Sequence, residues 1–199
     1  LKPLHDTFCV KHINVCTYQA VSGSGKDGVE ELLQQSSAYI DQRSIDKKVY
    51  PKQIAFNSIP FVDCFLENNY TREEMKMVWE THKILDENIS VNPTAVRVPV
   101  LVGHAESIYI ETEKEIDIEL AKNCLNEFAG ISVIDDIQEI DFPTSFEHGH
   151  GTDDVYVGRI RKGLSKNNSL NLWVVADNVR KGAALNSIQI AENLVGSEM

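Results

Sequence analysis

The chain has 199 residues, of which 42% are hydrophobic and 25% charged, and a formal net charge of −11. This size and balance are ordinary for a globular protein with one substantial core. The negative charge argues against nucleic acid or an anionic membrane as a partner, because either would repel such a surface. No apolar run approaches the ~20 residues that span a bilayer, and no leader marks export, so we expect a cytoplasmic protein.

The chain contains four cysteines: Cys9, Cys16, Cys64 and Cys124. They show no CxxC spacing and do not resemble a disulfide framework, which is consistent with the reduced thiols of the cytoplasm. His148 and His150 lie on a glycine-rich loop without the further ligands that a metal site needs. We therefore expect both histidines to be solvent-exposed and no metal to be bound.

The first residue is leucine rather than methionine, and Leu1, Leu4 and Phe8 fall at helical spacing. Pro3 is tolerated in the first turn of a helix. The sequence therefore predicts a start within or at the edge of a helix, as expected for a fragment of a longer protein.

The N-terminal half of the sequence predicts a strand followed by a helix. Residues 12–21 alternate and are rich in β-branched side chains, which predicts a strand. Residues 22–25 break this pattern with two glycines and two serines. A helix is predicted over 26–41, and short strand pieces, interrupted at Pro60, are predicted over 54–65.

A capping box marks the next helix. Thr71 is predicted to be its N-cap, with Glu74 reaching back to the main chain. The helix is predicted to run to about Leu85, and the Asn-Pro pair at 92–93 to end that region.

Two strands and a C-terminal α+β region complete the prediction. A strand is expected over 95–102 and another over 107–112, joined by a short turn. The remaining predicted elements are, in order, a helix over 117–128, a weak strand over 133–137, a polar loop over 143–153, strands over 155–160 and 170–176 paired as a hairpin, and a final helix over 179–194. This mixed order predicts an α+β fold, with a mixed, largely antiparallel sheet and helices packed on one face.

Arg97 and His104 are the first candidates for chemistry. They lie seven residues apart, so in one regular strand they would face opposite sides. They can share a site only if Gly103 bends the strand. A buried arginine needs an anion, so an anion clamp beside a proton donor suggests catalysis on a small carboxylate substrate. The alternative is an outward arginine on an edge strand and an unrelated turn histidine.

Two further groups offer weaker signals. Glu73 and Lys76 share a helix face near the predicted N-terminus, where a lysine can assist phosphate binding, although most such pairs are only solvated ion pairs. The segment Ser22–Lys26 resembles part of a phosphate loop, but Asp27 replaces the required serine or threonine. A flexible turn is favoured there, with main-chain amides that could still face a cofactor phosphate.

Five segments together resemble the aspartate-β-semialdehyde dehydrogenase family nearly from end to end. They are Thr17–Gly23, Glu73–Lys76, Asn92–Val100 with Gly103–His104, Val157–Arg161 and Asp177–Ala184. The resemblance implies a fold like the C-terminal domain of glyceraldehyde-3-phosphate dehydrogenase. It also implies that residues 1–178 are a catalytic and dimerisation domain. Residues 179–199 would form a C-terminal helix that packs on an absent nucleotide-binding domain.

The family reduces L-aspartyl-4-phosphate to L-aspartate 4-semialdehyde with NADPH and releases phosphate. This reaction lies on the route to lysine, threonine, methionine and diaminopimelate. The resemblance therefore implies NADP as cofactor, bound mainly by the absent domain, no metal, and a cytoplasmic homodimer that binds small molecules.

The resemblance also assigns roles to individual residues. His104 would be the general acid/base, and Gln19 would orient the reacting group. Arg97 would bind the substrate carboxylate, Glu73 its ammonium group and Lys76 the departing phosphate. Cofactor contacts would come from Ser22, Gly23 and Asn178. A role in anion binding is left open for Arg159, Arg161, Arg180 and Lys181.

One departure from the family concerns the nucleophile. The family's cysteine lies in an Asn-Cys-Ser/Thr segment that this sequence does not contain, and Cys16 falls where relatives often have serine. The chain alone is therefore expected to be inactive, because covalent catalysis needs the thiolate. The alternatives are a reductase like N-acetyl-glutamyl-phosphate reductase, or a dimerisation module only.

Overall fold

A computed structural model describes residues 1–196 of the chain. Its regular elements follow one another as α1 (Lys2–Phe8), β1 (Val10–Gln19), α2 (Gly25–Ile40), α3 (Arg72–Ile84), β2 (Ser90–Arg97), β3 (His104–Thr112), α4 (Ile118–Asn126), β4 (Ile131–Val133), β5 (Val155–Lys162), β6 (Ser169–Ala176) and α5 (Leu185–Gly196). A 3₁₀ turn over Val21–Ser24 precedes α2, and a π-helical turn over Arg180–Ala184 precedes α5.

The six strands form one sheet in the order β2-β1-β3-β6-β5-β4. The β1–β2 and β4–β5 pairs are parallel, and the other three pairs are antiparallel. This arrangement confirms the predicted α+β class with a mixed, largely antiparallel sheet. The hairpin between β5 and β6 is also confirmed.

The alternation along β1 explains which sheet face forms the core. Ile13 and Val15 are buried and belong to the same cluster as the α1 residue Phe8 and the α4 residue Leu125. Cys16 and Tyr18 point to the opposite face and stay partly exposed. Side chains that share the face of Ile13 and Val15 further along the sheet therefore lie under helices or line a cavity beside them.

The predicted strand over 95–102 is wrong in its bounds. Strand β2 begins at Ser90, includes Pro93 and ends at Arg97, and β3 begins at His104 rather than at residue 107. Proline is tolerated here because β2 is an edge strand, where a missing N–H does not interrupt a second ladder. Arg97 and His104 therefore belong to two different strands and not to one strand bent at Gly103.

The predicted strand pieces over 54–65 are also wrong, since the structure places only isolated bridges there. The N–H groups of Ile54 and Ala55 donate to the side-chain oxygen of Gln35 at 2.8 and 3.2 Å. The buried Glu31 carboxylate accepts the N–H groups of Lys48 and Val49 at 2.9 and 2.5 Å. Two side chains of α2 thus hold the chain before this segment and at its start, and the amides of Ile54 and Ala55 are unavailable for a ladder.

The remaining predictions agree more closely with the structure. The capping box is confirmed, because Thr71 Oγ1 accepts the Glu74 N–H and the Glu74 carboxylate accepts the Thr71 N–H. Strand β4 lies two residues earlier than its predicted start and is shorter. The last predicted helix is present, although residues 197–199 of the proposed C-terminal segment lie outside the described residues. His148 is half-buried rather than exposed, with its ring against Tyr156.

Within residues 1–196, no helix combines the length and the apolar character that crossing a membrane requires.

Candidate active site

Three strand ends bring Gln19, Arg97 and His104 to one edge of the sheet. Strands β1 and β2 are parallel and end at Gln19 and Arg97, which are direct partners in the ladder. Strand β3 runs antiparallel to β1 and begins there, with Ala105 opposite Tyr18, so His104 lies beside Gln19. Because directly paired residues share a face, all three side chains point to the core side of the sheet.

The main chain of Ala20 contacts both the predicted substrate-binding Arg97 and the predicted catalytic His104. Arg97 Nη1 donates to the Ala20 carbonyl at 2.6 Å, and the Ala20 N–H donates to His104 Nδ1 at 3.0 Å. Ala20 is fully buried. The guanidinium and the imidazole are therefore neighbours, which a shared site requires. Two strands bring them together, and not the single bent strand that the sequence predicted.

Arg97 is a buried cation without an acidic partner in the part of the chain that the structure describes. Its residue is 6% exposed, and burial lowers the pKa of the guanidinium. Among residues 1–196, no carboxylate forms an ion pair with Arg97, and the Ala20 carbonyl is the acceptor of its hydrogen bond. A guanidinium offers five N–H groups, so most of its donors remain for an anion that reaches the sheet edge next to Gly23.

His104 is neutral at physiological pH. Burial lowers the pKa of the imidazole to about 4, and the positive charge of Arg97 acts in the same direction. Glu73 and Asp177 oppose this effect but do not outweigh it. The ring can therefore form directed hydrogen bonds without carrying a charge.

This lowered pKa predicts a pH-dependent loss of stability. As the pH falls below the ordinary value of 6.5, the unfolded chain binds a proton at His104 that the folded chain resists down to about 4. Between about pH 7.5 and about pH 5, the chain should lose about 2 kcal/mol more of its unfolding free energy than a His104→Gln variant. Urea denaturation at both pH values measures the difference, and parallel losses in the two proteins would contradict it.

Glu73 and Lys76 are connected to the sheet edge through Gln19. Gln19 Nε2 donates to Glu73 Oε1 at 3.2 Å and to Thr17 Oγ1 at 3.3 Å. Lys76 Nζ donates to Glu73 Oε2 at 3.0 Å, and this contact raises the pKa of the lysine. Glu74 also accepts the Ala95 N–H at 3.0 Å, which ties the start of α3 to β2. The ion pair is thus held at the strand ends.

The predicted cofactor residues form a second group at the same edge. Asn178 Nδ2 donates to Ser22 Oγ at 2.9 Å, and the Gly103 N–H donates to Asn178 Oδ1 at 2.9 Å. Asp177 accepts main-chain N–H groups of the following turn. Burial opposes ionisation there, but these hydrogen bonds prevail and lower its pKa. The end of β6 is thereby fixed next to the turn that carries Ser22.

A cavity of ≈ 500 Å³ lies at this edge of the sheet, and Arg97, Gln19, Lys76 and Ser22 are not among the residues that line it. Its lining includes Gly23, Glu73, His104, Glu106, Asn178 and Lys181. Sequence reasoning missed Glu106, although its position two residues after His104 in β3 places it on the same face. Burial raises the pKa of the Glu106 carboxyl group. A larger cavity of ≈ 610 Å³ runs along α2 and shares none of these residues.

The basic residues left open by the sequence have different surroundings. Lys181 lines the cavity and donates to Gln189 Oε1 at 2.9 Å. Arg180 forms an ion pair with Asp153 at 2.6 Å, and Arg161 donates to the main chain of Arg159. Lys181 is therefore the member of this set that faces the site. Over residues 1–196, no group of three or more His, Cys, Asp or Glu side chains is placed to hold a metal ion.

Gly23 provides the space in which Arg97 and His104 meet. A Cβ atom on Gly23 would lie 2.8 Å from Arg97 Nη1 and 3.5 Å from His104 Nε2. In the longer enzyme that the family resemblance implies, Gly23→Ala should lower kcat/KM by about 10²-fold through displacement of these groups. Steady-state kinetics test this, with Gly182→Ala as the control, since its Cβ would meet nothing closer than 3.7 Å. Equal effects of the two substitutions would refute the explanation.

Known proteins of one family resemble this chain in both sequence and structure. Residues 1–181 match the family described as "Semialdehyde dehydrogenase, dimerisation domain". The chain is 55% identical, over 98% of its length, to the aspartate-semialdehyde dehydrogenase of Shewanella violacea, and 50% identical, also over 98%, to that of Legionella pneumophila. It covers 57% and 56% of these relatives. The structure of aspartate semialdehyde dehydrogenase II from Vibrio cholerae complexed with ASA superposes with a TM-score of 0.96, at 48% identity, and covers 100% of this chain and 59% of that one.

The chain thus spans somewhat more than half the length of the curated relatives that it matches. The match covers the segments that place Gln19, Glu73, Arg97 and His104 at the sheet edge. From this combination we conclude that the chain belongs to the semialdehyde dehydrogenase family and includes its dimerisation domain.

Proposed function

We propose that the parent protein is an NADPH-dependent aspartate-semialdehyde dehydrogenase, and that this chain supplies the substrate-binding side of its active site. The reaction would convert L-aspartyl-4-phosphate to L-aspartate 4-semialdehyde with release of phosphate, in the biosynthesis of lysine, threonine and methionine. The observation that carries the proposal is the buried Arg97 guanidinium, which lacks an acidic partner in the described chain and lies beside the neutral His104.

The roles proposed for the side chains follow from their chemistry. The planar fork of Arg97 would bind the substrate carboxylate through two hydrogen bonds. Glu73, which accepts a hydrogen bond from Gln19, would form an ion pair with the substrate ammonium group. Lys76 would stabilise the departing phosphate as its charge develops. His104 would handle protons at the reacting carbon, which is the general acid/base role that the family implies, and Gln19 would orient the acyl group.

Glu73 also favours the aspartyl substrate over an N-acetylated one. A free ammonium group needs a nearby carboxylate, whereas an acetylated amine carries no charge to pair. Glu73 lies at the cavity wall and is held there by Gln19 and Lys76. An enzyme like N-acetyl-glutamyl-phosphate reductase would have no use for this carboxylate.

The cofactor is proposed to be NADP, held mainly by a nucleotide-binding domain outside this sequence. Ser22, Gly23 and Asn178 would reach it from the wall of the site, where the Ser22–Asn178 contact fixes the turn. Residues 1–178 would form the catalytic and dimerisation domain, and the segment from 179 would pack on the nucleotide-binding domain. Ile188 and Ile190 of α5 are 56% and 54% exposed, which supports a covering partner.

We also propose that the parent protein is a homodimer in the cytoplasm. The open face of the sheet carries partly exposed aromatic residues, including Tyr18 and Trp173 with ring centroids 5.5 Å apart, which suits association with a second copy. The four cysteines are free thiols, in keeping with a reducing compartment. Light scattering at micromolar concentration measures the mass of the parent protein in solution. The mass of a dimer is expected, and the mass of a monomer would refute the proposed homodimer.

The proposal predicts that this chain alone has no reductase turnover. None of its cysteines lines the cavity with His104, so the thiolate that forms the acyl-enzyme must come from elsewhere. The test is phosphate-dependent reduction of NADP with L-aspartate 4-semialdehyde, measured for the 199-residue chain and for the parent protein. Activity in the parent only is expected, and substantial turnover by the chain would contradict the assignment of the nucleophile.

A further inference from the structure

The main-chain N–H of Ala20 determines which nitrogen of His104 carries the proton. We infer that this N–H keeps the imidazole in the tautomer protonated at Nε2, so that the ring faces the cavity as a hydrogen-bond donor. Ala20 is then a positioning residue that acts through its peptide group, although its side chain carries no chemistry.

The hydrogen-bond geometry supports this inference directly. The Ala20 N–H lies 3.0 Å from Nδ1, so Nδ1 must offer its lone pair to that donor. A proton on Nδ1 would point at another N–H and leave two donors without an acceptor. In a neutral imidazole only one nitrogen is protonated, so the proton belongs on Nε2.

The Ala20 peptide groups are held firmly enough to impose this choice. Ala20 is 0% exposed, and its carbonyl accepts a hydrogen bond from Arg97 Nη1 at 2.6 Å. Its N–H therefore has no access to water as an alternative acceptor. Since a buried N–H without a partner is unfavourable, any tautomer that removes the acceptor at Nδ1 is disfavoured.

The charges around the ring also disfavour a second proton. Arg97 is the cation that acts on His104, and Glu73 and Asp177 are the carboxylates that act against it. Glu106 and Lys181 line the same cavity. Burial and Arg97 prevail and keep the pKa near 4, so the neutral ring is the relevant species at pH 7. Nε2 and Cε1 lie on the side of the ring near Gly23, at the cavity.

The consequence for chemistry rests on the proposed function. With its proton on Nε2, the ring can donate a hydrogen bond to the acyl oxygen of the substrate as negative charge develops there. The ring keeps its proton throughout this interaction. It can act as a base at Nε2 only after the bond from Ala20 has been broken. The resting form of His104 is thus a neutral hydrogen-bond donor, and its use as a base in the proposed acid/base role requires that the contact with Ala20 be broken first.

Two other histidines provide internal references. The Thr144 N–H donates to His148 Nδ1 at 3.2 Å, which repeats the arrangement outside the site. His82 Nε2 lies 2.8 Å from the Ile89 carbonyl and must carry a proton there. Both rings are therefore expected in the same tautomer as His104, although neither contacts Ala20.

The first test is ¹⁵N NMR of the histidine-labelled 199-residue chain at pH 7, which needs no enzymatic activity. His104 should show a protonated, pyrrole-type Nε2 and an unprotonated, pyridine-type Nδ1, with its signals identified by their loss in His104→Gln. A ring protonated at Nδ1, a comparable mixture of tautomers, or an imidazolium would each overturn the inference. Because the readout is independent of turnover, the inference and the proposed function can fail separately.

The second test removes the Ala20 N–H alone. Replacing Ala20 by L-lactic acid changes its amide to an ester and keeps the methyl group and the carbonyl. A substantial population protonated at Nδ1 should then appear at His104, while His148 keeps its tautomer. If His104 stays protonated at Nε2 alone, the Ala20 amide does not determine the tautomer and the inference is wrong.

Discussion

Replacing Arg97 by leucine in the parent protein should raise the KM for L-aspartate 4-semialdehyde and lower kcat/KM by about 10²–10³-fold. The guanidinium is buried, and within the described residues it forms a hydrogen bond to one main-chain carbonyl and no ion pair. Its loss would leave the substrate carboxylate desolvated without a partner, which costs about 3–4 kcal/mol. Arg97→Lys should recover only part of this loss, because an ammonium group lacks the bidentate fork.

The stability of the same variant separates binding from folding. Because Arg97 is a buried cation that has no acidic partner among residues 1–196, leucine should leave the free energy of unfolding unchanged or raise it. The exposed Arg72 at the start of α3 is the matched control, and Arg72→Leu should change neither quantity appreciably. A large loss of stability in Arg97→Leu, with KM unchanged, would assign Arg97 to folding rather than to substrate binding.

Replacing His104 by asparagine should reduce kcat of the parent protein by about 10²–10³-fold. Asparagine can still accept the Ala20 N–H in place of Nδ1, but it offers no donor where Nε2 lies in the native ring. Glutamine is longer and can place an amide N–H near that position. His104→Gln should therefore retain measurably more activity than His104→Asn.

The comparison of these two variants distinguishes a donor from a base. Neither amide can accept a proton at neutral pH, so a general base would be lost equally in both. Initial rates at saturating substrate give the required ratio. Equal residual rates would contradict the donor role of His104 and would leave a proton-accepting role in its place.

The sequence predicted the fold class because its local patterns agree with the final architecture. The alternation over 12–21 marks β1, and the Thr71–Glu74 capping box marks the start of α3. The five ordered segments then indicated the family. Each of these signals is either local or depends only on the order of segments along the chain. None of them requires knowledge of tertiary contacts.

The errors arose where tertiary contacts decide the backbone. Proline at 93 predicted a boundary, but the edge position of β2 tolerates it. The segment 54–65 has the composition of strands, yet Gln35 accepts the N–H groups of Ile54 and Ala55 at its start, and Glu31 accepts those of Lys48 and Val49 just before it. No local sequence pattern predicts the edge position of β2 or the hydrogen bonds of Gln35 and Glu31, because both depend on elements that are distant in the sequence.

The site was only partly predictable for the same reason. The residue types of Arg97 and His104 indicated an anion clamp and a proton donor. The prediction that one bent strand carries both residues was wrong, because they belong to β2 and β3. Their meeting depends on β1 lying between β2 and β3, and on the main chain of Ala20 contacting both. Glu106 was missed, although its spacing from His104 in β3 could have indicated the shared face.

The most direct test of the proposed active site is a comparison of two substrates with the parent protein. Phosphate-dependent reduction of NADP should be rapid with L-aspartate 4-semialdehyde and at least about 10³-fold slower with N-acetyl-L-glutamate 5-semialdehyde, because Glu73 requires a free ammonium group. Glu73→Gln should narrow this ratio by weakening the first reaction alone. Equal rates for the two substrates, or a preference for the acetylated one, would contradict the account.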